Sequence, residues 1–366
     1  MNIVKATRAY EAWLGEQVAV HTSELDYKHE RMADRADPFP FFRGTYYRWA
    51  QWWSESQEDW KTGPEVLAVG DLHIENFGSW RDADARLVWG VNDFDEAESL
   101  PYTQDLVRLA TSFRIARRSQ QFAVSPTAAC RLILDGYRRQ MALGGRPFVL
   151  EERHGALRSL AMASERSPKK FWKKLTAVLD EPVARPPAEA RELLVRSFPV
   201  AELTPQFRFH RRVGMGSLGK PRFLALAQWQ GAWVAREVKA VAPPSSRWFQ
   251  RSSARSRSQV ASILAIARRC PDPYLIPGPR WNVRRLAPRC SRILLHELAQ
   301  VDDVERILKS MGAELANVHC GTNSVRGAIL RDLKLRKAKW LADASRAAEA
   351  AVLRDWRSWR KAYDKT

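Results

Sequence analysis

The chain has 366 residues, enough for one large domain or two lobes with buried cores. Its apolar runs fall far short of a membrane span, and the start MNIVKATRAY leads into no apolar block with a cleavage site, so the expectation is a cytoplasmic protein with no membrane partner. A net charge of +19 points to anionic partners without choosing among nucleotide, nucleic acid and acidic protein.

Cys130, Cys270, Cys290 and Cys320 form no C-x-x-C pair and have no histidine at zinc-finger spacing. They read as reduced, buried, small apolar residues. The first sixty-odd residues begin with helical patterning and then reach Asp37-Pro38-Phe39-Pro40, which helix is not expected to cross. Residues 66–69 form a short apolar strand running into GDLHIENFG, and 87–91 form a second strand, read as its partner, ending at Asn92-Asp93-Phe94-Asp95.

From 104 to about 179 the apolar spacing is helical, and the proline-rich stretch 181–188 reads as a linker. Strands are expected at 207–213, 222–229 and 233–239, an antiparallel meander whose first turn is GMGSLG. Beyond it a helix is expected at 253–269, a strand at 293–297, and helices at 304–319 and 336–362. The resulting division is 1–64, a helical and extended segment; 65–195, a helical lobe with the aspartate loops; 196–300, a β lobe; and 301–366, helices returning to the helical lobe. The basic runs 251–257 and 331–339 read as solvated faces.

Asp71 and Asn76 share one loop, and Asp93 and Asp95 close the following strand. Phosphoryl transfer uses such groups, an Asp near the attacking hydroxyl and hard oxygen ligands for a magnesium ion that bridges phosphates. Alternatively, Asp71 and Asn76 fix turns, and Asp93 and Asp95 cap a solvated hairpin. Gly214, Gly216, Ser217 and Gly219 form a turn suited to covering phosphates, and Lys239, on the next strand but one, is placed to reach their oxygens.

GDLHIENFG, VNDFDEA and PYTQDLVRLA resemble the catalytic loop, metal loop and following helix of aminoglycoside phosphotransferases and related kinase-like enzymes. The resemblance covers about forty residues. It implies Asp71 as base, Asn76, Asp93 and Asp95 as metal ligands, and Asp105 as a buried carboxylate accepting loop N–H groups, with ATP and Mg2+ as the cofactors. Arg43 and His73 are supporting residues in this reading. Two departures are visible: Val69 stands where those families have histidine, and no acidic residue lies between Ala240 and Cys270 to hold Lys239. Gln259, expected in the second turn of the helix there, is the neutral substitute.

The chain also resembles the bacterial family called domain of unknown function 2252, through KHERMADRADPFPFFRG, GDLH, NDFD, GMGSLG with REVKA, and LANVH. In ordinary kinase-like chains the glycine loop and lysine precede the aspartate loop, whereas here they follow it. The resemblance therefore implies an α+β, two-lobed, protein-kinase-like fold that is circularly permuted, with His319 of LANVH returning beside the Asp71 loop.

The leading expectation is an ATP- and magnesium-dependent phosphotransferase, or a nucleotidyltransferase, with an acceptor that is not identified. A nucleotide-binding regulator without transfer chemistry is the alternative. The charge and fifteen tryptophans make nucleic-acid binding a third, less favoured reading.

Overall fold

The two strands read as partners sit in different sheets. The computed structural model describes residues 1–56, 58–165, 167–250, 258–298 and 300–364. β1 (Glu65–Ala68), β2 (Phe77–Arg81), β3 (Leu87–Val91) and β4 (Glu98–Pro101) follow one another in the chain, but β1 pairs with β4 and β2 with β3, both antiparallel. The local reason is Asp82, whose Oδ1 accepts the backbone N–H groups of Asp84 (3.1 Å) and Arg86 (2.9 Å) and so turns β2 into β3. β5 (Phe148–Val149) adds to the far side of β3, and all five residues of β3 are buried.

The second half of the chain contributes a four-stranded antiparallel meander of β6 (Gln206–Phe209), β7 (Arg222–Trp229), β8 (Ala232–Ala240) and β9 (Trp281–Leu286). β7 and β8 lie close to the expected spans. β6 stops at Phe209, because Arg212 and Gly214 both turn to positive φ. β9 was not anticipated: two of its six residues are arginines, and its identity depends on pairing with β8.

One large apolar core joins the helices 39–55, Tyr102–Ala116, Pro126–Leu143, Val301–His319 and Trp340–Tyr363 with β1 to β3. A smaller core lies under the meander, where Ala190 and Leu194 pack on Phe223, Val238 and Val283. Phe171 and Leu175 cover Leu224 and Leu226 in a third cluster. The helices Pro168–Thr176 and Ala188–Arg196 therefore belong with the meander, and the boundary expected near residue 195 falls inside that unit. The fold is α+β.

Other expectations change in detail. A six-residue helix, Phe39–Gly44, starts directly at the prolines, since a proline in the first turn has no N–H to lose there. The strand expected at 293–297 is extended chain leading into a 3-10 turn, Leu295–Glu297; burial of Ser291, Ile293 and Leu295 imitates strand alternation without a partner strand among the described residues. The helix expected at 253–269 is Val260–Ile266, and its expected start and the basic run 251–257 lie outside the described residues. The last helix begins at Trp340 and is preceded by a separate one, Arg326–Leu335. Of the cysteines only Cys130 is fully buried, and no disulfide forms among the described residues.

Candidate functional site

The loop after β1 is held from behind by a single helix. Every residue of Tyr102–Ala116 except Arg114 is buried, so its polar side chains need partners inside the protein. Asp105, Arg108 and Ser112 stand at i, i+3 and i+7 and face the loop together. Asp105 accepts Val69 N–H (2.7 Å) and Gly70 N–H (2.9 Å), Arg108 Nε donates to Asp71 Oδ1 (2.9 Å), and Ser112 Oγ accepts Ile74 N–H (3.0 Å). Gln104 Nε2 adds a bond to the Tyr46 hydroxyl at 3.0 Å.

Arg108 is the main residue the sequence reading missed. It is fully buried, lies 4.1 Å from the Phe42 ring centroid with Tyr46 and Trp49 also beneath it, and sends both Nε and Nη2 to the same oxygen of Asp71. Asp71 Oδ2 is thereby left facing the glycine turn: a methyl group added at Gly216 would lie 3.2 Å from it. Burial raises the Asp71 carboxyl above its ordinary range, and the Arg108 guanidinium opposes that rise. The available signal was the polar stripe at helical spacing within an apolar run.

Asn76 ties the two aspartate loops together. Its Nδ2 donates to the carbonyl of Asp93 at 3.0 Å and to that of Asp71 at 3.5 Å, so its Oδ1 is the atom left for a ligand. Asp93 is half exposed and accepts Asp95 N–H at 3.2 Å. The buried Lys239 reaches across from β8, with Nζ 2.6 Å from Asp95 Oδ2 and 3.5 Å from both Asp93 oxygens. Against the desolvation of Asp93, Lys239 and Arg284 hold its carboxyl well below the usual carboxylate range.

The glycine turn, Asp71, Asn76, Asp93, Asp95 and Lys239 are thus brought together from segments more than a hundred residues apart. Asp93, Asp95 and Lys239 line one cleft with Val260, Leu275 and Val283. Among the described residues no group of three or more His, Cys, Asp and Glu side chains forms a self-sufficient metal site. The donors present, Asn76 Oδ1 and the Asp93 carboxylate, are hard oxygens of the kind that share a magnesium ion with phosphate and water.

Other expected residues fall elsewhere. Ser217 is committed to the turn, donating to Gly214 O (3.1 Å) and accepting from Arg222. Gln259 is the N-cap of its helix and makes no capping hydrogen bond. Its expected place in a second helical turn is therefore corrected, because the described helix starts one residue after it. His319 is fully buried between Asp105 (Nε2 to Oδ2, 3.1 Å) and the Tyr137 hydroxyl (Nδ1, 2.8 Å), so it supports the loop through Asp105 without touching the cleft. His73 is buried, its Nδ1 accepting Glu75 N–H, and burial together with Arg43, Arg292 and Arg108 keeps it neutral well below the ordinary histidine range. Arg43 Nη1 donates to Glu75 at 2.6 Å.

Lys220, directly after Gly219, was also missed. Despite burial, the Tyr10 hydroxyl and the carboxylates of Glu96, Asp95 and Asp93 shift it upward, so it adds a second fixed positive charge beside Lys239. In so basic a sequence nothing marked it out. No helix among the described residues is long and apolar enough to cross a membrane. No curated protein and no solved structure matches the chain. Residues 21–166, which carry Arg43, both aspartate loops and the helix behind them, match the model of the family described as uncharacterized protein conserved in bacteria (DUF2252).

Proposed function

We propose that this protein is an ATP- and magnesium-dependent phosphotransferase of kinase-like, circularly permuted architecture. One observation carries the reading: Lys239 of the meander meets Asp95 at 2.6 Å and Asp93 at 3.5 Å beside the Asp71 loop, although about 145 residues separate them in sequence. The cleft beside them has an apolar wall of Val260, Leu275 and Val283 for a base and a cationic end at Lys239 for phosphates.

In this reading Asp71 Oδ2 orients the acceptor hydroxyl and takes its proton. The acceptor oxygen bonds to the γ-phosphorus while the bond from that phosphorus to the β–γ bridging oxygen breaks, and the bridging electrons leave with ADP. Arg108 keeps Asp71 oriented, so the remaining oxygen need not reorganise during the step. Asn76 and Asp93 would hold magnesium, which supplies charge neutralisation at the phosphates. Lys239 and Lys220 balance the remaining negative charge.

Calorimetric titration with ATP, with and without magnesium, tests the reading. Magnesium-dependent binding weakened about tenfold or more by Asp93→Asn supports it, and no binding in either condition removes it. Asp71→Asn is expected to bind nucleotide as the parent does and to lose turnover; unchanged turnover would take Asp71 out of the role.

A second reading, a nucleotide-binding regulator without transfer, is favoured by one observation: the carboxylates on Lys239 are Asp93 and Asp95, the residues assigned to metal, and the helix Val260–Ile266 offers none. Binding without turnover across a broad acceptor panel would select it. The nucleic-acid reading has no such support, since Trp229 alone among the fifteen tryptophans is exposed for stacking.

A further inference from the structure

The groups around Asp71 divide into two sets. Asp93, Asp95, Lys239 and Arg284 line the cleft on the meander side, and Arg43, Glu75 and Arg292 are not among its walls. These three meet at the Asp71 loop: Arg43 Nη1 is 2.6 Å from Glu75 Oε2 and Arg292 Nη1 is 4.0 Å from the same oxygen. One carboxylate oxygen thus serves two guanidinium groups, which leaves a surplus positive charge. Arg43 Nε is buried and has no hydrogen-bond partner among the described residues, while 43% of the Arg292 side chain is exposed.

The location of this surplus charge relates it to the acceptor side. An added methyl group at Gly216 would be 3.2 Å from both Asp71 Oδ2 and the Arg43 carbonyl, so the Arg43 main chain and the free oxygen of Asp71 flank the tip of the glycine turn, and the Arg43 guanidinium is near enough to act on the Asp71 carboxyl. The neutral state of His73, which lies in the same loop, adds no counter-charge.

We infer that Arg43 and Arg292 form an oxyanion subsite beside Asp71 and that the acceptor is a hydroxyl compound bearing a phosphate or carboxylate group. The inference rests on the phosphotransferase reading for the word acceptor, but the subsite itself does not. Guanidinium groups bind such oxyanions in paired hydrogen bonds, which fixes the neighbouring hydroxyl in place.

The test saturates the protein with a non-hydrolysable magnesium–ATP analogue and titrates inorganic phosphate, and separately acetate, at low ionic strength. The parent protein is expected to bind one of the two anions. Arg292→Gln, at an exposed position, is expected to weaken that anion about tenfold while the analogue affinity stays within about twofold. Arg43→Gln serves as the second variant. Binding of phosphate alone or of acetate alone identifies the group the subsite takes. Failure of both anions to bind, or equal weakening of anion and analogue, overturns the subsite. Should the analogue itself not bind, the phosphotransferase reading falls. The same anion titration into the nucleotide-free chain then decides the subsite alone, since loss of binding in Arg292→Gln upholds it and unchanged binding ends it.

Discussion

Glu237 shows how one residue can set the stability of the meander. It lies on β8, is 1% exposed, and accepts from Arg222 Nη1 (2.9 Å), Arg284 Nε (2.6 Å) and His210. Burial opposes its ionisation, yet Arg222, Arg284 and His210 together hold the carboxyl well below the ordinary glutamate range. Glu237→Gln leaves two guanidinium groups, one of them buried, without their counter-charge, and is expected to cost roughly 3–5 kcal/mol in denaturant melts at pH 7. Because the folded carboxyl titrates below its unfolded value, its contribution is complete above the unfolded pKa of about 4.3 and is lost as the pH falls through the folded value. The gap between parent and variant should therefore close under acid, and a gap that is the same at pH 3 and pH 7 would show that Glu237 is not the charge holding this cluster.

At the scale of elements, the helix that holds the Asp71 loop is itself backed by two helices that touch each other at main-chain distance. In Pro126–Leu143 an added methyl group on Gly136 would lie 1.9 Å from the Lys309 carbonyl, and in Val301–His319 one on Gly312 would lie 2.0 Å from the Ile133 carbonyl. Backbone atoms cannot rotate away, so Gly136→Ala and Gly312→Ala must push the helices apart, at an expected cost of about 1–3 kcal/mol each. The second helix also delivers His319 to Asp105, so the spread should loosen the Val69 and Gly70 N–H bonds and speed their hydrogen exchange. Equal exchange in parent and variants would disconnect the helix pair from the loop. The same elements mark what was legible from sequence. β3 and β7 were readable because a short apolar run is decided locally, and Asp105 because its motif lies within forty residues of the loop. Arg108 and Ser112 were not read, since an arginine or serine in a helix is ordinary until the loop it serves is folded against it. β9 was missed for a related reason: Arg284 is explained only by Glu237 across the strand pair.

At the scale of the whole molecule, the helical part and the meander are joined by buried carboxylates as well as by Lys239. Glu96 accepts Ser245 N–H (2.6 Å) and Ser245 Oγ–H (2.8 Å), and Glu98 meets Ser246 and Arg247, so the loop after Asp95 is fastened to the chain leaving β8. Burial raises Glu96 to about 6, opposed by Lys220. Burial likewise raises Glu314, packed against β3 through Val91 N–H and Asn317, to about 7, opposed by Arg269. A carboxyl with a raised folded pKa binds more protons folded than unfolded, so stability falls as the pH rises from the unfolded value through the folded one. His73 acts in the opposite sense below pH 6.5, because its lowered folded pKa lets the unfolded chain bind the extra proton. The whole-protein pH profile therefore mixes both signs, and a difference between variants isolates one group. At pH 5 the folded Glu314 is still neutral while the unfolded chain is largely ionised there, so Glu314→Gln should exceed the parent by only about 1 kcal/mol. At pH 8 the parent must bury the charge, and the variant is expected to be more stable by about 4 kcal/mol, the equivalent of a rise to about 7 from an ordinary value near 4.3. Denaturant melts of both proteins at the two pH values measure this directly, and a difference that does not grow between pH 5 and pH 8 would mean that Glu314 stays in one protonation state and that the helix Val301–His319 carries no pH-dependent load.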